Sequence, residues 1–343
     1  MKHFRLRARA GVTAVLTTAA VLVLAACGGG SSDSSSTTDS GSGSSAAAGA
    51  FPATVKTKFG DVTIAEQPKK IVALGWGDAE TVLALGFQPV GASDWLGFGK
   101  ENEGVGPWAK GLYKTAPTLI ETMEPSYEAI GALQPDLILD TKSSGDQKRY
   151  DALKQITPNV VSVPTGADNY LTSSTQQMEM ISAALGVPDK GKELLAEVEK
   201  AFADAAAAHP TWKGKTVAAA TRTSDTWGAY VEGSDRVQFM QKLGFVQSPK
   251  IAALPAASTG FSVNLSSEQL DQLDADLIVA FPIFIDTKQI TDDALWKQIP
   301  AVKAGHAVVI DGDLSQAYSL GTTLATKYAI DQLVPKISTA VGG

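Results

Sequence analysis

The sequence predicts an α/β protein of two similar lobes with mainly parallel sheets, joined by a long helical segment, with a ligand cleft between the lobes. Three observations carry that expectation. From Phe51 onward, short apolar β-rich runs alternate with helical stretches, the pattern of strand–helix units in parallel sheets. Blocks of the first half recur in the second half in the same order. Between the halves lies a long helical stretch, the natural connector. A cleft between two such lobes is a favoured ligand site, because ligands gather beyond the carboxyl ends of the strands.

In the first half, strands are expected at residues 71–74, 90–92, 136–140 and 160–163. A helix should run from Asp78, a candidate N-cap, to Leu85, with Gly86 as its C-cap. The helical region spans about residues 169–209 and is interrupted near Gly186-Val187-Pro188. Strands resume at residues 216–220, 276–280 and 307–310. The repeat is densest where Ser126, Glu128, Leu133, Asp136, Leu137 and Ile138 pair with Ser266, Glu268, Leu273, Asp276, Leu277 and Ile278 at a constant offset of 140. Asp151-Ala-Leu-Lys-Gln-Ile is echoed by Asp293-Ala-Leu-Trp-Lys-Gln-Ile, and Leu85-Gly-Phe by Leu243-Gly-Phe. The spacing is far beyond that of a solenoid. It divides the body into an N-terminal lobe at 51–167, a connecting region at 168–210 and a C-terminal lobe at 211–343.

Ahead of the body, Lys2, Arg5, Arg7 and Arg9 precede an apolar run ending in small residues, which describes a secretory signal peptide at residues 1–26. The run ends Leu24-Ala25-Ala26-Cys27-Gly28 and resembles the lipobox of bacterial lipoproteins. That resemblance implies cleavage before Cys27 and a diacylglyceryl group on its sulfur. Cys27 is the only cysteine, so no intrachain disulfide forms. The alternative is a plain secreted protein with a chance cysteine. The rest of residues 27–50 is a Gly/Ser-rich tether, expected to stay disordered with a reach of roughly 25–30 Å. The expected location is therefore beyond the cytoplasmic membrane, lipid-anchored on its outer face.

The whole chain carries a formal net charge of −7, and removing the four leader bases takes it to about −11. An acidic body of this kind is a poor nucleic-acid binder. Its two histidines, His209 and His306, lie far apart and leave no matched ligand set for a bare zinc or manganese ion. No Gly-x-Ser-x-Gly, His-Glu-x-x-His or phosphate-loop motif is present, so no catalytic residue is assigned. Gly75-Trp-Gly-Asp-Ala-Glu opens like a dinucleotide loop but has Glu80 where the third glycine belongs. A glycosidase-type carboxylate pair stays open, since Asp and Glu are plentiful.

Five blocks share a pattern with one known family. They are Thr57-Lys-Phe-Gly-Asp-Val-Thr-Ile; Gln67-Pro-Lys-Lys-Ile-Val-Ala-Leu; Ala79-Glu-Thr-Val-Leu-Ala-Leu-Gly-Phe-Gln-Pro-Val-Gly; Glu128-Ala-Ile-Gly-Ala-Leu-Gln-Pro-Asp-Leu-Ile with its second-half echo; and Trp296-Lys-Gln-Ile-Pro-Ala-Val-Lys-Ala-Gly. Over about residues 52–338 the chain resembles the iron-siderophore/vitamin B12 family of periplasmic-binding proteins, with the binding domain itself at about 70–338. The resemblance implies a long rigid helix between the lobes, a shallow cleft, and delivery of cargo to the permease of an ABC importer. It also implies that Glu128 and Glu268 dock on permease arginines, one prong per lobe. The plainer role of each is a favourable charge at a helix start, about 0.3–1 kcal/mol.

The implied cargo is an iron(III)–siderophore chelate, carried by a monomer with no cofactor of its own; cobalamin or haem are alternatives within the family. A tethered secreted α/β hydrolase is the alternative outside it. A flat, partly apolar chelate suits aromatic walls and a few cationic donors. Residues just beyond expected strands supply both: Trp76, Trp95, Trp227, Tyr230, Phe284 and Tyr318, with Lys142, Arg149 and Arg222. The plainer reading is core packing for each aromatic and a solvated surface for each base.

Overall fold

A computed structural model describes residues 50–94, 102–167, 170–255 and 260–342. The leader, Cys27, the tether and Trp95 lie outside the described residues.

The chain opens with an antiparallel hairpin, β1 (Ala53–Thr57) and β2 (Gly60–Ile64), which the sequence reading did not assign. Its Val55, Val62 and Ile64 alternate inward and cover one edge of the first core. There follow β3 (Ile71–Ala73), α1 (Asp78–Ala84), β4 (Pro89–Ser93), β5 (Thr118–Ile120), α2 (Tyr127–Ala132), β6 (Leu137–Asp140), α3 (Gln147–Lys154) and β7 (Val160–Ser162). The five strands after the hairpin form an all-parallel sheet of order β5-β4-β3-β6-β7. Both faces are buried, as a parallel sheet requires. Ile71, Leu137, Leu139 and Val161 enter one cluster with helical residues such as Val82 and Ile181, while Val72, Ile138 and Val160 meet Ile130 and Leu153 on the other face.

The chain then passes through α4 (Ser174–Ala184) and α5 (Pro188–Ala208). Pro188 opens α5, where its missing N–H costs nothing. The two helices touch closely at Gly191, where a Cβ would lie 2.4 Å from Ser182 Oγ. With 21 residues, α5 is roughly 31 Å long. Its start packs Leu194 and Leu195 on the first lobe; further along, Val198 and Phe202 enter the core of the second.

The second lobe holds β8 (Thr216–Arg222), β9 (Trp227–Tyr230), α6 (Asp235–Lys242), β10 (Val246–Gln247), α7 (Pro249–Ala252), β11 (Ser262–Leu265), β12 (Leu277–Pro282), α8 (Lys288–Thr291), α9 (Pro300–Lys303), β13 (Ala307–Val309), α10 (Gly312–Leu320) and α11 (Thr323–Val341). Its sheet has the order β11-β9-β8-β12-β13, with β10 pairing the start of β8. β8, β12, β13 and β10 are parallel; β9 runs antiparallel between β8 and β11, which therefore points the same way as β8. The lobes therefore match over β3-β6-β7 and β8-β12-β13 and diverge on the other side of each sheet.

The repeat marks the matching half. Asp136 accepts the Lys69 and Lys70 amides at 2.8 and 2.9 Å, clamping the entry to β3. Asp276 accepts the Thr216 amide at 2.7 Å and its hydroxyl at 2.8 Å, clamping the entry to β8. Leu85-Gly86-Phe87 and Leu243-Gly244-Phe245 close α1 and α6 alike: Phe87 and Phe245 donate to Val82 and Met240 carbonyls at 3.0 and 3.1 Å, with both glycines at positive φ. The third echo differs, for Asp151 lies exposed inside α3 whereas Asp293 caps the turn at residues 295–296. Asp78 is also not the N-cap of α1. Gly77 holds that place at φ 81, and Asp78 is the first helical residue, fully buried.

A second helix braces the lobes. α11 packs along α5, with Lys327 paired to Glu197 at 2.9 Å, and its first turns reach the N-terminal lobe. Leu324 joins the cluster of Ala79, Leu83 and Ala109, and Tyr328 lies 5.3 Å from Trp108. At this joint the buried Glu80 carboxylate accepts the Gly106 amide at 3.0 Å, Trp108 Nε1 at 2.8 Å and the hydroxyl of Thr322, the N-cap of α11, at 2.6 Å. Burial pushes the Glu80 carboxyl above its ordinary range, although these three donors favour its ionised form.

Candidate functional site

The carboxyl ends of β3 and β6 and the loop after β7 face the start of α6 and the end of α10, and between them lies a cavity with about 300 Å³ of empty space, open solvent included. Its wall from the first lobe is Trp76, Lys142, Tyr170 and Leu171; from the second come Ser234, Asp235, Arg236, Phe261 and Ser319. A larger one, about 540 Å³ of empty space counted the same way, lies between α5, α6 and α11. The smaller one is the candidate site, because it sits beyond the strand ends and gathers aromatic and charged groups from both lobes.

Buried hydrogen bonds shape the β3 exit that presents Trp76. Asp78 accepts the Gly75 amide at 2.9 Å, the Thr141 amide at 3.0 Å and Gln177 Nε2 at 2.7 Å. Gly75 must be glycine, because a Cβ there would meet the Asp78 carboxylate at 2.4 Å. Burial raises the Asp78 carboxyl to about 6, against the Thr141 and Gln177 bonds that lower it. The Trp76 ring, thus placed, stacks on Tyr170 at 4.3 Å. Tyr170 holds φ 65, a left-handed conformation uncommon for a bulky residue and of the kind that collects at functional sites.

Each base expected at the cleft has a carboxylate partner. Lys142 reaches across to Asp235 of the other lobe; their side chains are only 3% and 10% exposed. Arg149 grips Asp140, the last residue of β6, at 2.8–3.2 Å. Burial would lower the Arg149 pKa, but the Asp140 charge and hydrogen bonds raise it overall. Arg222 pairs with Asp293 and lies 4.9 Å from the Trp227 ring. Burial would raise the Asp293 carboxyl, yet the Trp296 and Leu295 amides and Arg222 hold it below its usual range.

Three aromatics expected on the wall sit in cores instead. Trp227, 2% exposed, stacks on Trp296 at 5.4 Å, because β9 lies inside the sheet with one face under that loop. Tyr230 stacks on Phe281 at 5.8 Å, and Tyr318 donates its hydroxyl to the Arg236 carbonyl at 2.9 Å. Phe284 is 83% exposed at φ 56 and does not line the cavity. Trp76 and Lys142 are thus the predicted residues that the fold brings together here.

Sequence reasoning missed Tyr170, Asp235 and Arg236. Arg236 had a signal, since a base in the first turn of a helix opposes the helix dipole and asks for a reason. The structure supplies one: Arg236 lines the cavity, and its guanidinium lies 4.3 Å from the ring of the core residue Tyr230. It has no carboxylate partner among the described residues, and its buried Nε has no hydrogen-bond partner. Among the described residues no group of three or more His, Cys, Asp or Glu side chains is arranged to hold a metal ion. Glu128 is exposed behind its N-cap Ser126, whose hydroxyl accepts the Ala129 amide at 3.2 Å. Glu268 is exposed in the 3-10 turn Ser267–Leu273, where Gln269 and not Glu268 closes the capping box with Ser266.

Two α/β lobes, one covalent crossing through α5 and a mixed aromatic and charged cleft define a two-lobed ligand-binding protein. Comparison with known proteins agrees. The periplasmic binding protein family matches residues 71–314. The probable siderophore-binding lipoprotein YfiY of Bacillus subtilis strain 168 is 30% identical over 295 residues, 82% of this chain and 86% of that protein. The Fe(3+)-citrate-binding protein YfmC of the same organism is 29% identical over 260 residues, 74% of this chain and 76% of that protein. The structure of PiaA from Streptococcus pneumoniae TIGR4 in complex with ferrichrome aligns with a TM-score of 0.70 at 25% identity, covering 84% of this chain and 98% of that one. The chain belongs to the periplasmic binding protein family.

Proposed function

We propose that this chain is the substrate-binding lipoprotein of an ABC importer, that it captures an iron(III)–siderophore chelate between its lobes, and that it hands the chelate to the membrane permease. The observation that carries this reading is the cavity where the Trp76–Tyr170 stack of one lobe faces Arg236 and Phe261 of the other. Stacked rings suit the apolar body of a chelate, and a guanidinium suits its oxygen-rich metal face. The relatives named above support the cargo class. Iron enters on this reading as cargo, already wrapped in its chelator, and the protein catalyses no reaction.

Trp76 and Tyr170 form one wall and Arg236 the other, while Glu128 and Glu268 stay exposed on separate lobes for the permease. Lipid on Cys27 and the tether behind it keep a monomeric body at the outer face of the membrane. The test is a tryptophan-quenching screen of the purified chain against ferric hydroxamates, ferric catecholates, ferric citrate, haem and cobalamin. Saturable quenching by a ferric siderophore, weakened in Trp76→Ala and in Arg236→Ala, is the expected result. Binding of none of them, or turnover of generic hydrolase substrates, overturns the reading. For the anchor, Cys27→Ser releases the protein to the soluble fraction, and its retention on the membrane in unprocessed form refutes lipidation.

A further inference from the structure

The cleft is poorer in free positive charge than its bases suggest. Arg149 and Arg222 are held by Asp140 and Asp293 and do not line the cavity. Two cations do line it, Lys142 and Arg236. Lys142 is neutralised by Asp235, whereas Arg236 has no carboxylate partner among the described residues. Among the described residues the cavity therefore presents a net single positive charge.

Asp235 is firmly seated. It is the first residue of α6, where the helix dipole favours a carboxylate. Its other oxygen lies 3.5 Å from the Ser174 hydroxyl at the start of α4. Lys142 is fixed in turn, its ammonium lying 3.4 Å from the Leu320 carbonyl. An anionic cargo that tried to recruit Lys142 would have to break a desolvated pair and leave Asp235 buried beside a second negative charge. At low dielectric that arrangement is strongly disfavoured.

We propose that Asp235 is a specificity-determining residue that sets the charge of the cargo: by neutralising Lys142 it restricts the cleft to neutral or singly anionic ferric chelates and turns away a triply anionic one. This rests on the siderophore reading above and adds to it the charge class and the residue responsible. The filter has a defined sign. Asp235→Asn frees Lys142 and raises the cavity's net charge by one, while Lys142→Met lowers it by one.

The experiment titrates the purified wild-type chain, Asp235→Asn and Lys142→Met with ferrichrome, a neutral ferric tris-hydroxamate, and with ferric enterobactin, a triply anionic tris-catecholate. Titrations run at low and high salt, with thermal melts to verify folding. The wild-type chain is expected to bind ferrichrome more tightly. Asp235→Asn should shift the affinity ratio toward ferric enterobactin by about tenfold or more, the equivalent of one added favourable contact of about 1.4 kcal/mol. High salt should diminish that shift. Lys142→Met should move the ratio the other way, and it carries the test alone if Asp235→Asn does not fold. Tighter binding of ferric enterobactin by the wild-type chain overturns the filter, as does a ratio unchanged in the folded variants. Binding of neither chelate to the wild-type chain overturns the filter as stated; the siderophore reading falls only if the wider screen above also finds no ferric siderophore that binds.

Discussion

Replacing Thr322 by Val tests whether α11 braces the lobes. The Thr322 hydroxyl works in two directions, accepting the Ala325 amide at 3.1 Å as the N-cap of α11 and donating to Glu80 at 2.6 Å. Valine keeps the shape of this buried side chain and removes both bonds. A lost cap costs about 1 kcal/mol. A hydrogen bond withdrawn from a buried carboxylate costs about 1.5–3 kcal/mol, and Glu80 keeps only the Gly106 and Trp108 donors. The expected total is roughly 2.5–4 kcal/mol, a large share of the ~5–15 kcal/mol that typically holds a domain together. Chemical denaturation measures the loss, and hydrogen exchange at the Ala325 and Gly106 amides locates it. Small-angle scattering with and without cargo adds the mechanical readout: nearly equal radii of gyration for the wild-type chain, and a larger difference for Thr322→Val. A loss below about 1 kcal/mol, or unchanged exchange at both amides, refutes the brace.

Charge reversal of Glu128 or Glu268 to Lys should leave cargo affinity unchanged and reduce uptake in cells, with the double change nearly abolishing it; lost affinity in the purified double variant would move these residues into the cleft. Arg222→Ala should lower stability by about 1–3 kcal/mol, because Asp293 loses the partner that offsets its burial. Its effect on cargo affinity should be smaller than that of Arg236→Ala, and the reverse ranking sinks the assignment of Arg236 to the cavity wall. Asp78 carries a pH signature. Its carboxyl is raised from 3.8 to about 6 in the folded chain, so the folded form binds the proton more tightly. Its stabilising effect is complete below pH 3.8 and fades as pH rises through 6, a loss of roughly 3 kcal/mol. Denaturation midpoints of the wild-type chain should fall more steeply over that window than those of Asp78→Asn, and parallel curves count against it.

Much of the fold was legible because its signals are local. Apolar runs at β3, β6 and β7 marked strands buried on both faces, and Gly186-Val187-Pro188 marked the break between α4 and α5. The repeat was legible because equal roles keep equal residues: Asp136 and Asp276 each clamp the strand beside them. The β1–β2 hairpin and the antiparallel β9–β11 pair were missed, since short strands carry little periodic signal and the direction of pairing leaves no mark in a single strand. Trp76 and Lys142 line the cavity as expected of residues just past a parallel strand, which project toward the cleft. Trp227 and Tyr318 obeyed the same rule of position and still went to the core, because Trp227 turned out to open β9 and Tyr318 to lie inside α10, and what packs against those elements decides which side chains are buried.

The sequence by itself determined the α/β alternation, the doubled half-lobe, the helical connector and the acidic character of the body. These follow from composition, period and capping, which act over a few residues at a time. Only the tertiary structure decided the charge of the cleft. Lys142 meets Asp235 across 93 residues and Arg222 meets Asp293 across 71, so bases that read as free in the sequence are neutralised in the fold. Coulomb energy depends on distance through space and on burial, and neither is written along the chain.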